Sequence, residues 1–373
     1  MTEDGQLEIG VVGFGYWGPN LARNIAENPR SHLRWICDLD ETALATASAR
    51  YPGARATTRI EDLTADPELD AIAIVTQVST HYGLASAALD SGKHVFVEKP
   101  LANSSLEALD LMERAERAGV VLMPGHTFLY SPPVMKIKDL LDQDALGELY
   151  FISMSRVNLG LHQPDVSVVW DLGPHDFSIL RFWLGALPVE VSAMTRDCVL
   201  PGTPDVAFVN MQFATGTIAH LELSWLSPSK LRRTAIVGSD KMLVYDDLST
   251  EPIRIFDSGA ELSNPETFGE FRLAYRTGDI ISPKVEATEP LALELADFCS
   301  AALDGTTPRS SAQVGMDVIR TIEAVDRSLL ARGAVPVDLV ADRVDSMDGA
   351  KALRGATSRK RARASRRPGL PRA

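Results

Sequence analysis

Cysteine is scarce in this sequence. Cys37, Cys198 and Cys299 are the three cysteines in 373 residues; they lie far apart and form no CxxC pair. That argues against a disulfide framework and fits a reducing compartment. No run of 18 apolar residues occurs, so no membrane-spanning helix is expected. The stretch from Met1 to Gln6 is acidic and polar and lacks the charged-then-apolar pattern of an export signal. The seven histidines show no HExxH or other tight ligand spacing, so no metal is expected. A GxSxG nucleophile elbow is absent as well. There is no internal repeat. These absences leave the expectation of a cytoplasmic globular protein without metal or membrane partner.

Basic charge is short everywhere except at the end. The formal net charge is −13, from 37 Lys+Arg and 50 Asp+Glu. Nine of the 37 basic residues fall in 351–373, which holds no acid, leaving 28 against 50 before it and a body at −22. An acidic body is a poor partner for nucleic acid or an anionic membrane. The tail is the one segment that could neutralise phosphates. The hydrophobic content of 45% is ample for packed cores.

The first third alternates strand and helix signals. Leu7–Val12, Leu33–Cys37, Ala71–Val75, His94–Val97 and Val120–Met123 read as strands. Helices read between them, including Ser79–Ser91 and Ser104–Ala118, the latter with Ser104 and Glu107 at capping-box spacing. This alternation predicts a parallel sheet with helices on both faces. Ser131–Leu141 and Asp171–Leu184 then read as helices, and Glu148–Val157 as a strand. After Pro188 short strands dominate: Val189–Arg196, Val206–Phe213, Thr217–Trp225, Arg233–Val237 and Lys241–Tyr245. Short turns join them, so antiparallel pairing is expected. Two helices follow, Pro290–Leu303 and Ala312–Arg332. The reading is α/β: a dinucleotide-binding Rossmann domain at 1–125, an α+β domain with a largely antiparallel open sheet at 126–345, and a basic disordered tail at 346–373.

Gly13-Phe14-Gly15-Tyr16-Trp17-Gly18 fits GxGxxG. It follows a strand, opens a helix, and has Asp38 twenty residues beyond Gly18 at the end of the next strand. The glycines permit the tight turn, a close approach to pyrophosphate, and close helix–strand packing. The helix N-terminus offers N–H groups and partial positive charge to phosphates. A carboxylate at Asp38 would bind ribose hydroxyls and repel a 2′-phosphate, and Leu39, Asp40 and Glu41 supply no arginine for such a phosphate. NAD is therefore expected ahead of NADP. The alternative is an ordinary strand-to-helix turn with Asp38 as a surface cap.

Glu98-Lys99-Pro100 ends the His94–Val97 strand, where a doubly wound sheet faces its ligand crevice. Lys99 is then a candidate to meet nicotinamide and substrate, with Lys99–Pro100 a candidate cis bond. A solvated lysine before a turn is the competing reading. Asp171 and His175 are four apart and share a helix face. Pro174 belongs in a first helical turn, which puts the pair at the helix N-terminus. A histidine beside a carboxylate makes an acid–base pair; the competing reading is Asp171 as N-cap and His175 as a packed polar residue. Phe128, Tyr130, Arg156, Asn158, His162 and Trp170 are candidate substrate contacts, with Arg156 able to pair bidentately with a carboxylate or phosphate.

In order and separation, Gly13–Gly18 with Tyr16-Trp17-Gly18-Pro19-Asn20, Asp38, Glu98-Lys99-Pro100 and Asp171-xxx-His175 resemble the Gfo/Idh/MocA family, the glucose–fructose oxidoreductase and inositol dehydrogenase group. The resemblance covers about residues 7–340. It implies a Rossmann domain, an open sheet that mediates a homodimer or homotetramer, and NAD(P)-dependent oxidation of a sugar-type hydroxyl. It implies Lys99 at nicotinamide and substrate, Asp171 as the substrate-binding acid and His175 as general base. Thr76, Gln77 and His81 match the family's cofactor-binding segment, with Gln77 in place of the usual proline. Gly125-His126-Thr127-Phe128 departs from the Asn-Arg-Arg of polyol dehydrogenases and looks closer to members acting on nucleotide sugars. The alternatives are an NADP-dependent sugar ketoreductase and a non-catalytic NAD-binding regulator on the same fold.

Overall fold

A computed structural model describes residues 5–160, 162, 166–262 and 273–337. The tail expected at 346–373 lies outside the described residues. The chain opens with β1 (Leu7–Val12), buried along its whole length. Then come α1 (Gly18–Glu27), β2 (Ser31–Cys37), α2 (Glu41–Arg50), β3 (Arg55–Thr57), α3 (Ile60–Thr64), β4 (Ala71–Ile74), α4 (Val78–Asp90), β5 (His94–Glu98), α5 (Ser105–Ala118) and β6 (Leu122–Gly125). The short exposed β3 carried no periodic apolar signal and escaped the sequence reading. Ser104 caps α5 by accepting from Glu107 N–H at 3.2 Å, and Gly119 closes it at φ +66°.

These strands form one parallel sheet in the order β3-β2-β1-β4-β5-β6. The order reverses between β1 and β4, so a crevice opens beyond their carboxyl ends. Continuous apolar strands such as Ala71–Ile74 are buried because helices cover both faces.

A 3-10 turn (Thr127–Tyr130) and α6 (Pro132–Asp142) lead into the second sheet. Its strands are β7 (Leu149–Leu159), β8 (Glu190–Arg196), β9 (Val206–Gln212), β10 (Ile218–Ser224), β11 (Leu226–Gly238), β12 (Met242–Asp246), β13 (Ile253–Leu262), β14 (Leu273–Ile281) and β15 (Val335–Pro336). The order is β14-β13-β12-β11-β7-β10-β9-β8-β15. Neighbours are antiparallel except β7 and β10, which run parallel. The sequence reading found neither β13 nor β14.

One face of this sheet packs on α7 (Val168–Leu184) through Phe177, Leu180, Leu221 and Ile236. The helices α8 (Pro290–Asp304) and α9 (Ala312–Ala331) return to the first sheet. Leu291, Leu295 and Phe298 of α8 join the core with α1 and β1, while Met316 and Ile319 of α9 join the core with α4 and α5. The other face of α9 gives Val318, Ile322 and Val325 to the core of the second sheet. Helix α9 therefore ties the two sheets together.

One expectation fails locally. Helix α7 starts at Val168, a turn earlier than Pro174 suggested, and Pro174 lies inside it. Ser167 caps the helix, with its hydroxyl 3.5 Å from Trp170 N–H, so Asp171 is not the cap. Proline removes one donor from the helix ladder. Three residues before it, the carbonyl of Asp171 receives the Lys99 ammonium at 2.8 Å.

Candidate active site

The glycine loop is shaped by contacts that leave no room for side chains. Gly13 has φ +99°, and a Cβ there would lie 2.4 Å from the Val75 carbonyl oxygen. A Cβ on Gly18 would lie 2.3 Å from the Gly13 carbonyl oxygen. Gly15 is different: nothing lies within 4 Å of a Cβ there. Two glycines therefore serve the turn, and the third leaves an open face beside the α1 N-terminus, as pyrophosphate binding needs. Asp38 ends β2, accepts from Phe14 N–H in the loop and receives Asp40 N–H at 2.8 Å. Its carboxylate is thus held at the edge of the loop. Tyr16 is almost fully exposed and Trp17 partly so. Thr76 bonds Thr80 through their hydroxyls at 2.7 Å, and Gln77 is exposed at the start of α4.

His81 is buried and does not face the crevice. Its Nδ1 lies 2.9 Å from the Pro100 carbonyl and its Nε2 3.1 Å from the Thr76 carbonyl. Burial lowers its pKa, so it is neutral and one ring N–H donates at a time. It ties the Lys99–Pro100 turn, which is cis, to the end of β4.

Lys99 and Asp171 meet, a contact the sequence reading did not foresee. Lys99 Nζ lies 2.8 Å from the Asp171 carbonyl and 3.5 Å from its Oδ1. Trp225 Nε1 donates to Asp171 Oδ2 at 3.0 Å. His175 is partly buried one helical turn on, its ring 4.9 Å from that of Phe128, and its Nδ1 is buried with no partner among the described residues. Burial pushes its pKa well below the usual value, and Lys99, Arg156, His126 and Arg232 push the same way. The imidazole is therefore neutral at pH 7 and can accept a proton.

Other candidates fall elsewhere. Arg156 is buried and its fork is filled by Asp176, with Nε and Nη2 bonds of 2.6 and 2.9 Å. The expected bidentate grip on a substrate anion is thereby corrected: the sequence could not show that Asp176, next to His175, turns toward β7. Arg156 stacks over Phe128 at 4.6 Å, and Arg232, its cross-strand partner, lies at 5.6 Å from the same ring. Tyr130 is core, its hydroxyl bonded to Asp297 at 2.7 Å and to Ser310 N–H at 3.0 Å. Trp170 donates to Asp326 of α9 at 3.0 Å. Both aromatics are structural anchors. Asn158 and His162 flank Trp225: Asn158 adjoins Gly160, which packs on Trp225, and the His162 ring lies 5.3 Å from that of Trp225.

Sequence reasoning missed Trp225, Asp176, Arg232 and Glu294. Trp225 and Arg232 enter through the strands of the second sheet, Asp176 through the packing of α7 against β7, and Glu294 through the return of α8. His126 was noticed as part of a departing motif, without a role.

Two family models match the chain: an oxidoreductase family with an NAD-binding Rossmann fold over residues 7–126, and the C-terminal domain of the same family over 134–244. The chain belongs to the Gfo/Idh/MocA oxidoreductase family. Among curated relatives, an uncharacterized oxidoreductase of Streptococcus pneumoniae serotype 4 is 27% identical over 232 residues, 58% of this chain and 62% of that protein. The UDP-N-acetylglucosamine 3-dehydrogenase of Acidithiobacillus ferrooxidans is 30% identical over 257 residues, 68% of this chain and 78% of that one. The crystal structure of GenD2 from gentamicin A biosynthesis in complex with NAD superposes with a TM-score of 0.75 at 26% identity, covering 89% of this chain and 97% of that one. Gfo/Idh/MocA relatives are named as dehydrogenases of inositols, sugars and a nucleotide sugar, so this chain falls among sugar and polyol oxidoreductases that use NAD(P). The loop and Asp38 fit NAD. Among the described residues no histidine, cysteine or carboxylate cluster has the geometry of a metal site, and no helix is long and apolar enough to cross a membrane.

Proposed function

We propose that this protein oxidises a ring hydroxyl of a sugar or sugar derivative, with NAD as acceptor, and that Lys99, Asp171 and His175 carry the chemistry. The observation that carries the reading is the pairing of the Lys99 ammonium with the Asp171 carboxylate at the carboxyl end of β5, with a neutral, partly buried His175 one helical turn on. NAD, when bound, supplies the hydride acceptor. His175 takes the hydroxyl proton. Lys99 donates a hydrogen bond to the substrate oxygen and stabilises the negative charge that develops there. Asp171 holds the ammonium in place, and Trp225 fixes the Asp171 carboxylate. Phe128 packs against the His175 ring and limits its rotation.

The test is a panel of free sugars, inositols and nucleotide-linked sugars incubated with NAD and read at the NADH absorbance. NADH formation with at least one of them is expected. NAD binding with no NADH across the panel would replace this reading with that of a cofactor-binding regulator.

The cofactor preference rests on Asp38. In Asp38→Ala the ribose hydroxyls lose their acceptor and a 2′-phosphate loses its repulsion. The ratio of NAD to NADP affinity is expected to fall by about tenfold or more, roughly the 1.4 kcal/mol of one charge-assisted hydrogen bond. Fluorescence titration with both reduced cofactors measures it.

A further inference from the structure

Behind Lys99 lies a buried acidic cluster that the proposed chemistry does not use. Glu98 is partly buried at the end of β5; one carboxyl oxygen is 3.2 Å from Lys99 N–H, and the other, Oε1, is buried with no partner among the described residues. Its side chain lies over Gly125, where a Cβ would come within 3.2 Å of Oε1. Gly125 thus leaves the space that this carboxyl fills. Glu294 enters from α8 and is fully buried. Thr127 donates to its Oε2 at 2.7 Å, and its Oε1 again has no partner. His126, between Gly125 and Thr127, is buried, and neither ring nitrogen has a partner among the described residues.

Two carboxylates cannot both stay ionised in such a place. Burial raises both pKa values, Glu98 to about 7, and Glu98 raises Glu294 further. The groups acting on Glu98 are Lys99 on its own strand end and Trp17 from the glycine loop; Glu98 acts in turn on Glu294 of α8, which Asp297 also reaches, and His126 follows the Gly125 over which the Glu98 carboxyl lies. Lys99 is already engaged by Asp171. His126 is held neutral by burial, its pKa pushed down to about 3. It therefore cannot neutralise an ionised Glu98.

We propose that Glu98 is the counter-charge that distinguishes oxidised from reduced nicotinamide: its buried carboxyl, packed between Gly125 and the glycine loop and neighboured by Glu294, gives up a proton when the cationic ring binds and keeps it when the neutral ring binds. The proposal rests on the reading that nicotinamide lies at the Lys99 end of the crevice. The physical basis is linkage. A cation beside a carboxyl favours the ionised form, so binding the cation releases the proton to solvent; the uncharged dihydronicotinamide exerts no such pull. Glu98 thus tightens NAD binding as pH rises toward neutrality and leaves NADH binding unchanged.

The experiment is isothermal titration of the full chain with NAD and separately with NADH, at pH 5.5 to 8, in two buffers of different ionisation enthalpy. Below pH 7, about one proton should be released per NAD bound and none per NADH, and the NAD Kd should fall by about tenfold between pH 5.5 and 6.5. Glu98→Gln should abolish the release and flatten the NAD profile, with NADH affinity within about twofold of wild type. Glu294→Gln should keep the release. Infrared difference spectra of the wild type should show loss of a protonated carboxyl band on adding NAD but not NADH, a readout independent of any variant's folding. Equal proton release with both cofactors, or release that persists in Glu98→Gln, overturns the proposal. NAD binding without proton release overturns it alone, whereas absence of NAD binding overturns the dehydrogenase reading itself.

Discussion

Lys99→Met is expected to lower turnover by about 10²- to 10⁴-fold, with the NAD dissociation constant within about threefold of wild type. The methionine keeps the stem and removes the ammonium. Two effects then add: the substrate oxygen loses its hydrogen-bond donor as charge develops on it, and Asp171 keeps Trp225 as its remaining side-chain partner. Neither touches the glycine loop or Asp38, which is why cofactor affinity should survive. Lys99 is partly exposed and its ion pair with Asp171 is long, so the stability lost is about 1 kcal/mol at most. The melting temperature should drop by no more than about 4 °C. Steady-state kinetics, cofactor fluorescence and a thermal melt on the same preparation separate these outcomes. Wild-type turnover in Lys99→Met would remove Lys99 from the mechanism. A large fall in melting temperature would make its role structural.

Arg156→Met should instead damage the fold. The pair it makes with Asp176 is buried, with both guanidinium bonds short. Removing the cation leaves the buried Asp176 side chain without its partner, a change that costs about 3–5 kcal/mol. The Arg156→Met/Asp176→Leu double variant removes both charges and should recover much of that loss, because well-packed apolar replacements of a buried pair are often neutral. Urea unfolding of the two single variants and the double variant measures the coupling. A substrate-binding role for Arg156 predicts the opposite pattern: full stability, with a raised KM for anionic substrates. Similar stability in the single and double variants would show that Asp176 finds another partner.

The contrast between these two residues shows how far the sequence could be read. Lys99 belongs to a local motif whose place follows from topology. The apolar run His94–Val97 is a buried parallel strand, and the residues after it must lie at the crevice. Gly13, Gly18 and Asp38 were legible for the same reason: each acts within a strand–turn–helix unit of about thirty residues. His175 and Asp171 were legible as a pair through helical spacing, even though the helix starts a turn earlier than Pro174 implied. Arg156 stands on a strand with no such context. Whether it faces a ligand or a carboxylate depends on Asp176, twenty residues away, and on the packing of α7 against β7.

The second sheet was half legible. Strands joined by short turns were found from Val189 to Tyr245. The strands β13 and β14, which extend the sheet beyond β12, were not. The parallel pairing of β7 with β10 could not be foreseen, because β7 is reached across α7 and two other strands. Helix α8 carried no sign that it would cross back to the first sheet. Its Glu294 was not singled out, and packing alone buries it where the charge of Glu98 acts on it.

By itself the sequence determined the parallel sheet, the glycine loop with its carboxylate, the strand end that presents Lys99, and the helical spacing of Asp171 and His175. These depend on backbone sterics and on periodicities of two and 3.6 residues, which act over short separations. The tertiary structure decided the charges. It chose Asp176 as the partner of Arg156, seated Trp225 on Asp171, surrounded His175 with groups that keep it neutral, and buried Glu294 within reach of the charge of Glu98. Ionisation depends on burial and on neighbours within a few ångströms, and in a folded chain those neighbours come from anywhere in the sequence.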